Sequence, residues 1–117
     1  MNQSEPSIEG NICTANGKFG IAISENAKGE LFKNQVNKNQ FSGILLAGEV
    51  QAFLEENVCN ENVKVGILFR DNSSGTAIHN QCIGNSFGIY VAASANPELV
   101  ENDCHDNKVA DIKDDRK

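Results

Sequence analysis

Glu56, His79 and Glu101 recur at intervals of 23 and 22 residues. A histidine flanked by two carboxylates is a constellation for general acid–base chemistry, one carboxylate orienting the ring while the imidazole carries the proton. The same column begins with Gly10 and Lys33, and Lys38 stands over Glu61 in a second one. A solvated run of complementary charges that holds register is therefore the simpler account, each pair contributing a few tenths of a kcal/mol. His105 falls in a different column, so no site with both histidines is expected. Four cysteines raise a metal reading, but Val36 occupies the same place in the pattern as Cys13, Cys59, Cys82 and Cys104. A position that takes thiol or isopropyl alike is a small buried hydrophobe, so free thiols, no metal and no other cofactor are expected. Tyr90 has a ring that stacks on a sugar, and Arg70 a guanidinium that meets an acidic group. Both lie near an outward column of Ala22, Leu45, Leu68, Tyr90 and Lys113, beside Ser24, Ala47, Arg70 and Ala92. Leu45, Leu68 and Tyr90 make a dry stripe of the kind that marks protein contact. No catalytic residues are assigned.

What positions all of these residues is a tandem repeat. Leu31–Asn34–Val36–Asn39–Gly43–Ile44 becomes Leu54–Asn57–Cys59–Asn62–Gly66–Ile67 with every position advanced by 23. The frame recurs upstream from Ile8 and downstream from Ala77, where one residue is missing before Gly88, and a last copy runs from Leu99 to Ile112. The repeats cover approximately 8–30, 31–53, 54–76, 77–98 and 99–117, within one domain spanning 1–117. Leucine-rich repeats have a similar length. Here the middle leucine of their frame is always Asn, and the segment that would become a helix reads Gly-Ile-Leu-Leu or Gly-Ile-Tyr-Val.

The alternative is a stack of short strands. Each repeat carries three period-2 patches, around Leu54, around Cys59 and from Val65 to Phe69, separated by Asn and Gly. The fold class expected is all-β, a right-handed parallel β-helix (solenoid) of about five coils with three short strands per coil. Alternation sends Ile21, Ile44, Ile67, Ile89 and Ile112 inward, with Ile23, Leu46, Phe69 and Val91 two residues on, and Phe19, Val65 and Phe87 two residues before. The Cys13–Val36–Cys59–Cys82–Cys104 and Ile8–Leu31–Leu54–Ala77–Leu99 columns complete the lumen. Asn11, Asn34, Asn57, Asn80 and Asn102 form one corner ladder, and Asn16, Asn39, Asn62, Asn85 and Asn107 another. Asn tolerates the left-handed conformation that a sharp corner demands. Gly20, Gly43, Gly66 and Gly88 sit where positive φ or close backbone approach is needed, and Asp111 takes that place in the last copy.

The formal net charge of −6, with ten Lys and Arg scattered among sixteen Asp and Glu, argues against a nucleic-acid partner. Without a long apolar run, a basic start or a signal h-region, no membrane contact is expected, and the cytoplasm is the expected location if the chain is complete. At the ends, residues 1–6 are too short to cover a coil, so the N-terminal coil is expected to be the open one. Asp111 and Asp114 read as a polar stop at the other end.

On its Asn-x-Cys-x-x-Asn-x-x-x-Gly-Ile frame, from about residue 7 to 112, the chain resembles the right-handed parallel β-helix repeat family. That family is the pectate-lyase-like superfamily, and the likeness is nearest to the NosD-like and "carbohydrate-binding and sugar hydrolysis" repeats. The resemblance implies that outer strand faces hold elongated ligands, commonly polysaccharide. Catalysis in that superfamily leans on clustered Asp with Ca²⁺, a basic residue or paired carboxylates, and the outer third strand here offers Arg70 and little acid. An ice-binding Thr ladder is also lacking, since Thr14 and Thr76 lie in different columns. The expected function is a non-catalytic scaffold or protein-interaction module that self-associates as a homo-oligomer. The alternative is a carbohydrate-binding module, or a remnant of a polysaccharide lyase, hydrolase or epimerase, with a protein or polysaccharide partner.

Overall fold

A column of identical residues every 23 positions can be satisfied by stacking strands in parallel, each residue over its counterpart. The computed structural model describes residues 7–9, 12–14, 19–23 and 28–116, and for 7–9, 12–14 and 19 only the main chain. The ladder members Asn11 and Asn16, the column members Gly10 and Ser24, and residues 1–6 lie outside the described residues. The first rung holds β1 (Ser7–Glu9), β2 (Ile12–Thr14) and β3 (Phe19–Ile23), the second β4 (Lys28–Phe32), β5 (Gln35–Asn37) and β6 (Ser42–Leu46). In the third rung β7 (Gln51–Glu55) and β8 (Val65–Phe69) flank Val58, which alone bridges Gln35 below and Gln81 above. The fourth rung holds β9 (Ser74–Ile78), β10 (Gln81–Ile83) and β11 (Phe87–Val91), the fifth β12 (Asn96–Val100), β13 (Asp103–His105) and β14 (Ala110–Asp114).

Every described strand pair is parallel and in register with the repeat, as in Ile44↔Ile67 and Ile67↔Ile89. Two five-stranded sheets result, β1-β4-β7-β9-β12 and β3-β6-β8-β11-β14, with the short middle strands between them. Five rungs leave four rung-to-rung steps, so the solenoid winds about four turns where about five coils were expected. The lumen is filled as alternation requires: Leu31, Leu54 and Ala77, Val36, Cys59 and Cys82, Ile44, Ile67 and Ile89, and Leu46, Phe69 and Val91 are all fully buried. Each large side chain so buried contributes on the order of 1.5–3 kcal/mol.

The asparagines make two continuous ladders. Asn57 donates its main-chain N–H and one amide hydrogen to Asn80 Oδ1, both at 2.9 Å, and its other amide hydrogen to Leu31 O at 2.9 Å. Asn62 repeats the pattern with Asn85 Oδ1 and Val36 O. All four capacities of such a side chain are used, which is what allows it to be buried. At the last rung Asp111 Oδ1 receives the Asn107 main-chain N–H at 3.3 Å and the amide at 3.0 Å, so a carboxylate stands in the next asparagine's place.

The left-handed corner residue is not the asparagine but its predecessor. Lys33, Glu56, His79 and Glu101 precede one ladder and have φ between 50° and 58°, and Lys38, Glu61 and Asp106 precede the other with φ of 59°, 56° and 55°. Gly84, at φ 75°, fills the same place before Asn85. The chain thus turns one residue early and delivers each asparagine, in ordinary conformation, to the interior.

The repeat glycines 20, 43, 66 and 88 have no positive φ; their role is close approach. A Cβ on Gly66 would meet Gly88 O at 2.6 Å, Asn85 Nδ2 at 3.0 Å and Cys59 O at 3.2 Å. This also corrects the placement of Val65 and Phe87. The glycine occupies the inner side beneath the ladder amide, alternation slips by one, and Val65 packs outside with Leu45, Ala47 and Leu68, where Phe87 and Tyr90 join it.

The last rung is only partly closed. Asp114 takes the column of Val91 and pairs with Arg116 at 2.7 Å, and Arg116 reaches Pro97 O at 2.6 Å. Ile112, in register with fully buried Ile89, is nevertheless 46 % exposed, and Leu99 and Cys104 are half-buried. The acidic residues therefore end the ladder and one lumenal column without sealing the apolar ones.

Candidate functional site

The charge column stands at the tips of left-handed corners. His79 Nε2 lies 2.8 Å from Glu101 Oε1, with both side chains exposed. Among the described residues no hydrogen bond or ion pair joins Glu56 to His79, or Lys38 to Glu61. An exposed pair of this kind contributes about 0–1 kcal/mol. His79 and Glu101 both stand at left-handed corners, with φ of 56° and 50°.

Leu45 and Leu68 point outward, as the column predicts, yet are only 6 % and 9 % exposed because Ala47, Val65, Phe87 and Tyr90 pack around them. Phe87 and Tyr90 meet edge to face with centroids 5.2 Å apart. The Tyr90 hydroxyl donates to Asp115 Oδ2 at 2.8 Å, and Lys113 Nζ donates to Asp115 Oδ1 at 2.7 Å. That carboxylate, by accepting a hydrogen bond from the protonated phenol, raises the Tyr90 pKa, while Lys113 and Tyr90 together lower that of Asp115. Arg70 is half-exposed and approaches Asp71 at 3.9 Å, while Asp71 Oδ2 accepts the Gly48 N–H at 2.9 Å. Large apolar surface survives at the lead-in to this sheet, where Phe41, Val63 and Val109 are exposed, Val63 at 47 %.

Cys59, Cys82 and Cys104 are free and stacked, with Cys82 opposite Cys104 across β10 and β13. The thiol of Cys104 is pushed far up by its contact with Cys82 and by burial. Such a thiol stays protonated and behaves as packing.

A feature with no counterpart among the sequence-derived candidates lies on the other large sheet. An open trough of about 630 Å³ crosses the outer face of β4, β7 and β9. Its floor is Gly29, Ala52 and Gly75; one wall is Lys28, Gln51 and Ser74, the other Glu30, Phe53 and Thr76. Gly75 has φ 122°, and a Cβ there would lie 2.7 Å from both C and N of Ala52. Only glycine lets β9 draw this close to β7. The available signal was the outward pairs Lys28 and Glu30, Gln51 and Phe53, and Ser74 and Thr76, which recur 23 residues apart.

A family model described as a right handed beta helix region matches residues 1–107, and the chain belongs to that family. No curated protein and no solved structure matches it. A right-handed β-helix offers flat, stacked outer faces on a rigid core, the build of a scaffold or binding module.

Proposed function

We propose that the protein is a non-catalytic β-helix scaffold that associates with a second copy of itself through the outer face of the β3-β6-β8-β11-β14 sheet. The observation that carries this reading is the broken row of exposed Phe41, Val63 and Val109, at the lead-in to β6, β8 and β14 on the second, third and fifth rungs, with Ser86 between the last two, beside the outer apolar cluster. The cluster gives a rigid, dry backing, and the row supplies the apolar contact that a copy would bury. The stripe of Leu45, Leu68 and Tyr90 contributes as support beneath that contact. Solution mass tests the reading, with Val63→Asp as the probe because Val63 is exposed whereas Leu68 is needed for packing.

A second reading, an oligosaccharide-binding module or a remnant of a polysaccharide-processing β-helix, is favoured by the exposure of Arg70 on the rung preceding half-buried Tyr90. Titration with an oligogalacturonate tests it. Saturable binding lost in Arg70→Ala supports the reading, and no saturation removes it.

A further inference from the structure

The trough on β4, β7 and β9 carries an acid and a base on opposite walls of one rung. Lys28 and Glu30 are two residues apart on the same outward face, roughly 7 Å between Cα atoms. Among the described residues neither side chain has a hydrogen-bond or ion-pair partner. A purely cationic or purely anionic ligand at that rung would meet one adverse charge. A group that carries ammonium and carboxylate on one carbon meets none.

The two following rungs continue the same division. Gln51 and Phe53 face each other across the floor, an amide opposite a ring that is 37 % exposed. Ser74 and Thr76 close the far end with two hydroxyls. From the charged rung to the hydroxyl rung is two strand spacings, roughly 10 Å, and the volume of about 630 Å³ lies in the range of small-molecule sites. The floor is the main chain of the middle column, whose Ala52 side chain faces the lumen, and Gly75 lets β9 lie close against β7.

We propose that this trough binds a free α-amino acid: its carboxylate on Lys28, its ammonium on Glu30, and a long side chain running past Phe53 to the Ser74 and Thr76 hydroxyls. Charge-assisted contacts on both sides fix the head, the ring covers the methylene stem, and the hydroxyls and Gln51 take a polar end. This goes beyond the scaffold reading and concerns a different face of the solenoid, so the fate of one does not decide the other.

The test is calorimetric titration of the full chain with L-glutamine and the other common amino acids, followed by the N-acetyl and carboxamide derivatives of any that bind. The expected result is saturation by at least one amino acid at millimolar concentration or below. Removing either head charge should weaken it on the order of tenfold or more, the size of one lost charge-assisted hydrogen bond. Glu30→Gln should abolish the penalty for acetylation, and Lys28→Gln the penalty for amidation. Both positions are exposed, so unchanged circular dichroism verifies the fold. Equal binding of the blocked derivatives, indifference to both substitutions, saturation by maltose with none by amino acids, or no saturation by any amino acid would each overturn the proposal.

Discussion

Asn57 Oδ1 accepts two hydrogen bonds from Asn34, 3.0 Å from its main-chain nitrogen and 2.9 Å from its amide nitrogen. The pair is repeated up the stack, so each asparagine completes the rung before it and is completed by the rung after. Asn57→Ala removes four hydrogen bonds, those two together with the ones to Leu31 O and Asn80 Oδ1. Buried donors left without partners should lower stability by about 3 kcal/mol or more. Asn102→Ala, at a half-buried step that water reaches, should cost about 1 kcal/mol. Urea unfolding of the two variants measures the difference, and equal losses would mean that the ladder is not a desolvated network.

Glu56 is held at φ 58° one residue before Asn57. If its role is the corner, Glu56→Asn should leave stability unchanged or raise it by up to about 1 kcal/mol, because Asn enters the left-handed region readily. Glu56→Val should lower stability by about 1–2 kcal/mol through the β-branched clash at the same φ. Thermal unfolding separates the two, and equal tolerance of Asn and Val would contradict a conformational role.

Tyr90 is the only tyrosine in the chain, so phenolate absorbance reads it alone. Its hydrogen bond to Asp115 raises its pKa, and Asp115→Asn should bring the titration back toward the ordinary value near 10. The raised group stabilises the fold fully below that ordinary value and ceases to as pH rises through its folded pKa. Asp114 behaves oppositely: Arg116 holds its carboxyl down at about 2. Its contribution is present above the ordinary carboxylate value near 3.9 and is lost as pH falls toward 2. Amide exchange in β14 should accelerate across that acid window and be insensitive to it in Arg116→Ala.

The period of 23 made much of this architecture legible. It placed the Leu, Cys and Ile columns in the lumen and the asparagines in ladders, because a stack in register preserves residue type along the axis. What it obscured depends on single-residue geometry. Lys33, Glu56 and His79 look like solvated charges, and nothing in their type reveals a left-handed corner. Val65 and Phe87 were sent to the wrong side because Gly66 and Gly88 interrupt the two-residue alternation. Leu45 and Leu68 were read as open stripe because burial by flanking outward side chains is a tertiary effect. The trough was hidden for the same reason: Lys28, Phe53 and Thr76 lie far apart in sequence, and only stacking brings them to one face.

The central claim is association through the β3-β6-β8-β11-β14 face, and sedimentation equilibrium over a range of concentrations tests it most directly. The native chain should show a mass at least twice that of one chain, with Val63→Asp shifting it to a single chain while the circular dichroism is unchanged. A native chain that sediments as a monomer at every concentration, or an assembly that Val63→Asp leaves intact, would contradict the account.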